Sequence, residues 1–154
     1  MVNIPTSDGA VNIAESSPEE YSGLVELWER SVRQTHRFLA QEDILYYKNF
    51  VTEALLKLKV YCIKQYNAPL GFLAIDGHRL EMLFIDPRHL YQGLGRLLIG
   101  FAFEQGITEV EVNEQNESAV RFYHAVGFEV IGRQAVDGFG KPYPILSMRK
   151  KTGQ

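Results

Sequence analysis

Gly93 and Gly95 flank Leu94 where an apolar run of strand formers gives way to a helical pattern, a spacing suited to binding an anion. Residues 80–85 form the apolar run, and Asp86-Pro87 ends it because proline cannot donate to a strand ladder. Arg96, Leu97, Leu98 and Ile99 then continue into a helical pattern through Phe101 and Phe103. A helix that starts on such a turn presents unpaired backbone N–H groups and the positive end of its dipole, the chemistry a pyrophosphate needs. The pattern is not the full dinucleotide fingerprint, which needs another glycine three residues on, nor a P-loop, which needs Lys-Ser or Lys-Thr. A short Gly-x-Gly before a helix also occurs as a plain turn, so the rest of the chain must discriminate.

The elements around this loop follow from periodicity and punctuation. Residues 11–15 alternate apolar and polar and are expected as a first strand. A helix over 18–34 is signalled by Ser17 as cap, Pro18 in the first turn and Glu20 three residues after the cap. Its apolar positions are Tyr21, Leu24, Val25, Leu27, Trp28 and Val32. A second helix is expected over 41–56, with Ile44, Leu45, Tyr47, Phe50, Val51, Leu55 and Leu56 as its apolar set. Residues 58–64 and 70–75 read as strands joined around Asn67-Ala68-Pro69, and Asp76-Gly77 turns into the strand over 80–85, giving an antiparallel meander. After the glycine-loop helix come a strand over 107–112, a short helix over 116–126 stopped by Gly127, and strands over 128–131 and 143–148.

The chain has 154 residues, enough for one domain with a real core. Its 45% hydrophobic and 23% charged residues are ordinary for a globular protein. Sixteen Lys and Arg against nineteen Asp and Glu leave a net charge of −3 with no basic run, so the footprint of a nucleic-acid binder is missing. A single cysteine, Cys62, excludes an internal disulfide and any multi-cysteine metal site. There is no apolar stretch near the roughly 20 residues that span a bilayer and no signal-peptide pattern at the start, so a cytoplasmic protein is expected.

The second motif discriminates. Asn116-Glu117-Ser118-Ala119-Val120-Arg121-Phe122-Tyr123, followed by Gly127-Phe128, resembles the N-x-x-A-x-x-x-Y-x-x-x-G-F signature of the GNAT superfamily of acetyl-CoA-dependent N-acetyltransferases. The order of elements, with the glycine loop after the fourth strand, resembles the same family, and the residues from 112 on, with Ser31-Val32, Thr35-His36 and Phe38-Leu39, resemble a bacterial subgroup of small acetyltransferases. The resemblance implies a mixed α+β fold: a mostly antiparallel sheet of about seven strands flanked by four helices. It implies acetyl-CoA as cosubstrate, no metal, an amine acceptor, no nucleic-acid or membrane partner, and a monomer or homodimer. The family loop is Q/R-x-x-G-x-G/A; here Leu90 stands at the first position and Tyr91 replaces a glycine often found next. That departure leaves a non-catalytic coenzyme A-binding module, or a phosphate-binding protein of another fold, as alternatives.

By the same resemblance, Phe84 and Ile85 pair with the pantetheine arm, and Leu90, Tyr91, Gln92, Gly93, Leu94, Gly95, Arg96 and Asn116 contact the coenzyme. Acetyl transfer from a thioester to an amine needs a neutral amine, a polarised carbonyl and a stabilised thiolate. Tyr123 is expected to assist the thiolate. With phenol near pKa ~10 and thiol near ~8.5, full proton transfer is uphill by about 2 kcal/mol, so a hydrogen bond that strengthens with charge is the expected role. Otherwise Tyr123 is a core aromatic of an amphipathic helix. Glu81 is the candidate relay for the substrate ammonium proton, or else a solvent-facing strand carboxylate. His36, between the first two helices, binds or deprotonates the acceptor, or caps a helix. Trp28 and Tyr47 are expected in the core, and Cys62 as a small packing residue on a strand.

Overall fold

The computed structural model describes residues 2–6 and 9–152. Eight strands form one sheet in the order β1-β2-β3-β4-β5-β6-β8-β7. They are β1 (Val2–Ile4), β2 (Val11–Glu15), β3 (Lys59–Gln65), β4 (Ala68–Asp76), β5 (Arg79–Ile85), β6 (Glu109–Asn113), β7 (Phe128–Gln134) and β8 (Ile145–Lys150). Four α-helices flank it: α1 (Tyr21–Thr35), α2 (Gln41–Lys57), α3 (Leu94–Glu104) and α4 (Glu117–Ala125). Every neighbouring pair is antiparallel except β5 and β6, which α3 connects as a parallel crossover.

Strand alternation distributes the core to two faces. On β3, Val60 and Cys62 face α1 and α2 and pack with Leu24, Trp28, Leu55 and Phe72. Tyr61 and Ile63 face the other way, toward α3 and α4, with Leu73, Leu98 and Phe128. Burial on both faces makes β3 and β4 nearly continuous hydrophobic runs, with the strict alternation of a half-exposed strand lost.

Several boundaries move from their expected places for identifiable reasons. The sheet has eight strands and not about seven, because Val2–Ile4 pairs with Val11–Ile13; three residues are too short to show a period. The first helix opens as a 3₁₀ turn over Pro18–Glu20, with the Glu20 carboxylate accepting from the Ser17 N–H at 3.1 Å. The β3–β4 turn is made by Tyr66 and Asn67, both at positive φ (51° and 65°), so β4 begins at Ala68. Pro69 is tolerated at that strand's start beside a register shift. β8 begins at Ile145, after Pro144, which has no N–H to give to the ladder. Ile107 is buried core but precedes β6, which starts at Glu109.

Two irregularities shape the middle of the sheet. Ala74 pairs with Met82 and Ile75 with Leu80, so Glu81 is the extra residue of a β-bulge in β5. On the neighbouring strand, a Cβ added at Gly71 would lie 2.7 Å from both the Phe84 carbonyl oxygen and Ile85 Cδ1. Glycine there is what lets β4 approach the end of β5 so closely. Gly71→Ala should lower the unfolding free energy by about 1–3 kcal/mol, since a backbone carbonyl must move to admit the methyl. Urea denaturation checks this; a parental midpoint and slope would show that the sheet absorbs the methyl freely.

Candidate active site

The glycine loop is held from below by a buried carboxylate. Asp86 is 0% exposed and accepts from the Arg88 N–H at 3.0 Å, Arg88 Nε at 3.1 Å and Arg88 Nη2 at 2.8 Å. It also accepts from Arg30 Nη2 of α1 at 2.8 Å, while its own N–H donates to the Leu70 carbonyl at 2.8 Å. Arg88, then Arg30, hold the Asp86 carboxyl well below the usual carboxylate range. The 3₁₀ turn Pro87–His89 follows, and Gly93 caps α3 in the left-handed conformation, φ 79°. The first N–H used inside α3 is that of Leu97, donating to the Gly93 carbonyl at 3.2 Å. The N–H groups of Leu94, Gly95 and Arg96 are therefore left for a ligand. Gly95 has a packing reason as well, because a Cβ there would touch the Phe122 ring at 3.4 Å.

β5 and β6 are joined only at Arg79–Glu109 and Leu80–Val110, and beyond these pairs they part. A cavity of about 370 Å³ leads from the glycine loop to the parting, between α1, β5, α3 and α4. Phe84, Ile85, Leu90, Tyr91, Gly93, Leu94, Gly95, Arg96, Asn116 and Tyr123 all line it, so nearly every residue expected at the coenzyme is brought together. Gln92 is not among its lining residues. A second cavity of about 150 Å³ occupies the parting itself, between Glu81, Leu83 and Phe84 on β5 and Val112 and Asn113 on β6. A third, again about 370 Å³, opens on the α2 side between Trp28, Tyr47, Phe50, Phe139, Asp137 and Glu81. His36 and Phe84 line all three. Tyr123 belongs to the first two, and Glu81 to the last two.

The titratable groups at this junction are tuned mainly by burial. Tyr123 is 7% exposed, its ring packed on Phe122 and Phe128, and its hydroxyl has no hydrogen-bond partner among the described residues. Burial pushes its phenol well above the ordinary value, so it stays a hydrogen-bond donor. Burial also raises the Glu81 carboxyl, with Arg79 Nη1 at 3.9 Å pulling the other way. His36 is 9% exposed, and burial lowers its ring to about 4. The Thr35 hydroxyl donates to the Ser31 carbonyl at 2.8 Å, so Thr35 Oγ1 accepts from His36 Nδ1–H, also at 2.8 Å. The Asn116 amide oxygen accepts from the Ala119 N–H at 3.3 Å, which turns its nitrogen toward His36 Nε2 at 3.4 Å. A neutral Nδ1–H imidazole thereby ties the end of α1 to the start of α4. Cys62 is 1% exposed, lies outside these three cavities, and has its thiol raised to about 12 by burial. It packs, as the sequence suggests.

Other lining residues are not among those the sequence marks for the site. Ser31 and Thr35 reach the first cavity because α1 crosses it. Trp28 is core, as expected, yet with half-buried Tyr47 it also walls the third cavity, so assigning both to the core alone needs correction. The Tyr47 hydroxyl donates to Asp137 Oδ2, and Asp137 Oδ1 accepts from the N–H groups of Phe139 at 2.9 Å and Lys141 at 3.0 Å. Among the described residues, no three His, Cys, Asp or Glu side chains are grouped as metal ligands, and no helix is long and apolar enough to cross a membrane.

Comparison with known proteins shows the family and the fold. The Acetyltransferase (GNAT) domain family matches residues 33–150. The chain is 41% identical over 145 residues to the peptidyl-lysine N-acetyltransferase YjaB of Escherichia coli strain K12, covering 90% of this chain and 95% of that one. The solution structure of apo-form YjaB from Escherichia coli superposes with a TM-score of 0.84 at 38% identity, covering 91% of this chain and 97% of that one. The crystal structure of the PaiA N-acetyltransferase from Thermoplasma acidophilum in complex with coenzyme A superposes with a TM-score of 0.70 at 22% identity, over 92% and 99% of the two chains, and shares the fold.

The buried neutral His36 makes a testable pH dependence. An unfolded histidine takes a proton near pH 6.5, while this one resists until about 4. Its contribution to stability is therefore whole above pH 6.5 and is lost as the pH falls toward 4. Between pH 7 and 5 the loss should be about 2 kcal/mol, and His36→Asn, which cannot titrate, should lack that component. Urea unfolding of both proteins at the two pH values measures it; identical losses would show that the folded His36 ring takes its proton as readily as the unfolded one.

Proposed function

Because the chain belongs to the GNAT acetyltransferase family and so is an acyltransferase, we propose that it moves an acetyl group from acetyl-CoA directly onto the side-chain amine of a protein lysine. The observation that carries this reading is that the coenzyme-side cavity and the α2-side cavity approach from different directions and share only His36 and Phe84. Donor and acceptor then meet at the parting of β5 from β6, in one complex and without a relay through the protein. Cys62, buried elsewhere with a raised thiol, offers no acyl-enzyme route.

The residues divide the work by position. The free N–H groups at the start of α3 receive the pyrophosphate, and Phe84 and Ile85 line the path of the pantetheine arm. Backbone N–H groups of β5 beyond its last pair with β6 have no strand partner on that side, and one of them polarises the thioester carbonyl. The α2-side cavity has aromatic walls and Glu81 in its lining, a combination that takes an aliphatic stem with an ammonium at its tip. Glu81, its carboxyl raised by burial, accepts the ammonium proton through water. The amine nitrogen bonds to the carbonyl carbon and the carbon–sulfur bond breaks. The thiolate that leaves is stabilised by the unpartnered Tyr123 hydroxyl, and the proton that the nitrogen sheds as it becomes an amide passes to the sulfur, giving the thiol of coenzyme A. The relative named as a peptidyl-lysine N-acetyltransferase supports lysine as acceptor. The same reading takes residues 1–154 as one acetyltransferase domain acting in the cytoplasm.

Release of free thiol from acetyl-CoA in the presence of lysine peptides tests the proposal. Tyr123→Phe should lower turnover at saturating peptide by about 10²–10⁴-fold, with the coenzyme A dissociation constant little changed. Its melting temperature should stay parental, since the hydroxyl has no internal partner to lose. Near-parental turnover in the folded variant would remove Tyr123 from the mechanism. Thiol release with small amines but with no lysine peptide would move the acceptor to another class.

A further inference from the structure

We propose that Tyr91 stacks on the adenine ring of the coenzyme and is the residue by which this chain distinguishes a nucleotide-bearing acyl donor from a bare phosphopantetheine. The inference rests on the coenzyme reading of the glycine loop. Tyr91 is 98% exposed, and its ring has no aromatic, hydrogen-bond or ion partner among the described residues. It nonetheless lines the coenzyme-side cavity, at the loop end, with His89 and Leu90. A solitary exposed tyrosine would be unremarked on most surfaces, but the backbone here makes it informative.

Tyr91 holds φ 63°, the left-handed region that suits glycine and strains a residue with a Cβ. Tyr66, the other tyrosine at positive φ (51°), has an explanation, because it and Asn67 form a two-residue hairpin turn that demands positive φ at both positions. No hairpin requires it at Tyr91. The loop bears that strain while the side chain makes no contact in return, an arrangement expected where the contact is made to a ligand.

Direction along the site identifies which part of the ligand. Coenzyme A is a linear molecule of thiol, pantetheine, pyrophosphate and adenosine. With the thiol at Tyr123 and the pyrophosphate on the N–H groups of Leu94, Gly95 and Arg96, the adenosine must leave on the solvent side of the loop, where Tyr91 stands two residues before Gly93. An unpartnered ring at that place offers a base a flat face and needs no hydrogen-bond readout.

Calorimetric titration with coenzyme A and with 4′-phosphopantetheine, on the parent, Tyr91→Gly and Tyr91→Phe, decides the matter. Tyr91→Gly should weaken coenzyme A by about tenfold and leave phosphopantetheine within about twofold of the parent, while Tyr91→Phe keeps the parental affinity for both. Without ligand, Tyr91→Gly should melt higher than the parent, because the glycine relieves the left-handed strain. Opposite signs in these two readouts distinguish a ligand-binding ring from a structural one. Parental coenzyme A affinity in Tyr91→Gly would overturn the proposal. So would an equal loss for both ligands, which would mean that residue 91 acts through the loop. A parent that binds neither ligand would instead bring down the coenzyme reading itself, and this proposal with it.

Discussion

The early separation of β5 from β6 is the constraint on which the rest of the molecule depends. Two parallel pairs, Arg79–Glu109 and Leu80–Val110, hold the strands together at one end. Past them, backbone groups that a continuous sheet would satisfy internally are left for something else, and an unpaired buried polar group is costly. On the proposed reading, a pantetheine arm with its own amides would satisfy that requirement in the manner of an added strand. Past the parting each strand keeps its partner on the other side: β5 pairs with β4 through residue 85, and β6 with β8 through residue 113. The Glu81 bulge and the bare backbone of Gly71 bring the end of β5 into position.

Two polar clamps fix the helices around this opening. Asp86, fully buried between Arg88 and Arg30, ties the glycine loop to α1. A buried charge left without its partners costs several kcal/mol, so the loop and the helix are expected to keep their relation whether or not a ligand is present. His36 and Asn116 tie the far end of α1 to α4. Thus α1, which walls both large cavities, is held at the glycine loop through one residue and at the Tyr123 helix through another.

Much of this was legible in the sequence where residue chemistry acts locally. Gly93 and the Gly127 stop each encode a backbone event within a few residues, and both are found where the spacing puts them. The family resemblance carried by those residues, and the mixed α+β fold it implies, hold for the folded chain. The features that escaped are non-local. The Glu81 bulge arises from register with β4, and the double role of Trp28 and Tyr47 depends on how α2 and the loop near Asp137 close over them. Asp86-Pro87 was readable as a strand stop, but its burial between two arginines depends on Arg30, which lies 56 residues away.

The most direct measurement is a crystal structure of the protein with coenzyme A. The pantetheine arm should lie between β5 and β6 alongside Phe84 and Ile85, with the pyrophosphate on the first turn of α3 and the sulfur within hydrogen-bond reach, about 3.5 Å, of the Tyr123 hydroxyl. Coenzyme bound elsewhere, or bound with the sulfur remote from Tyr123, would contradict the assignment of the strand parting as the place where acetyl transfer occurs.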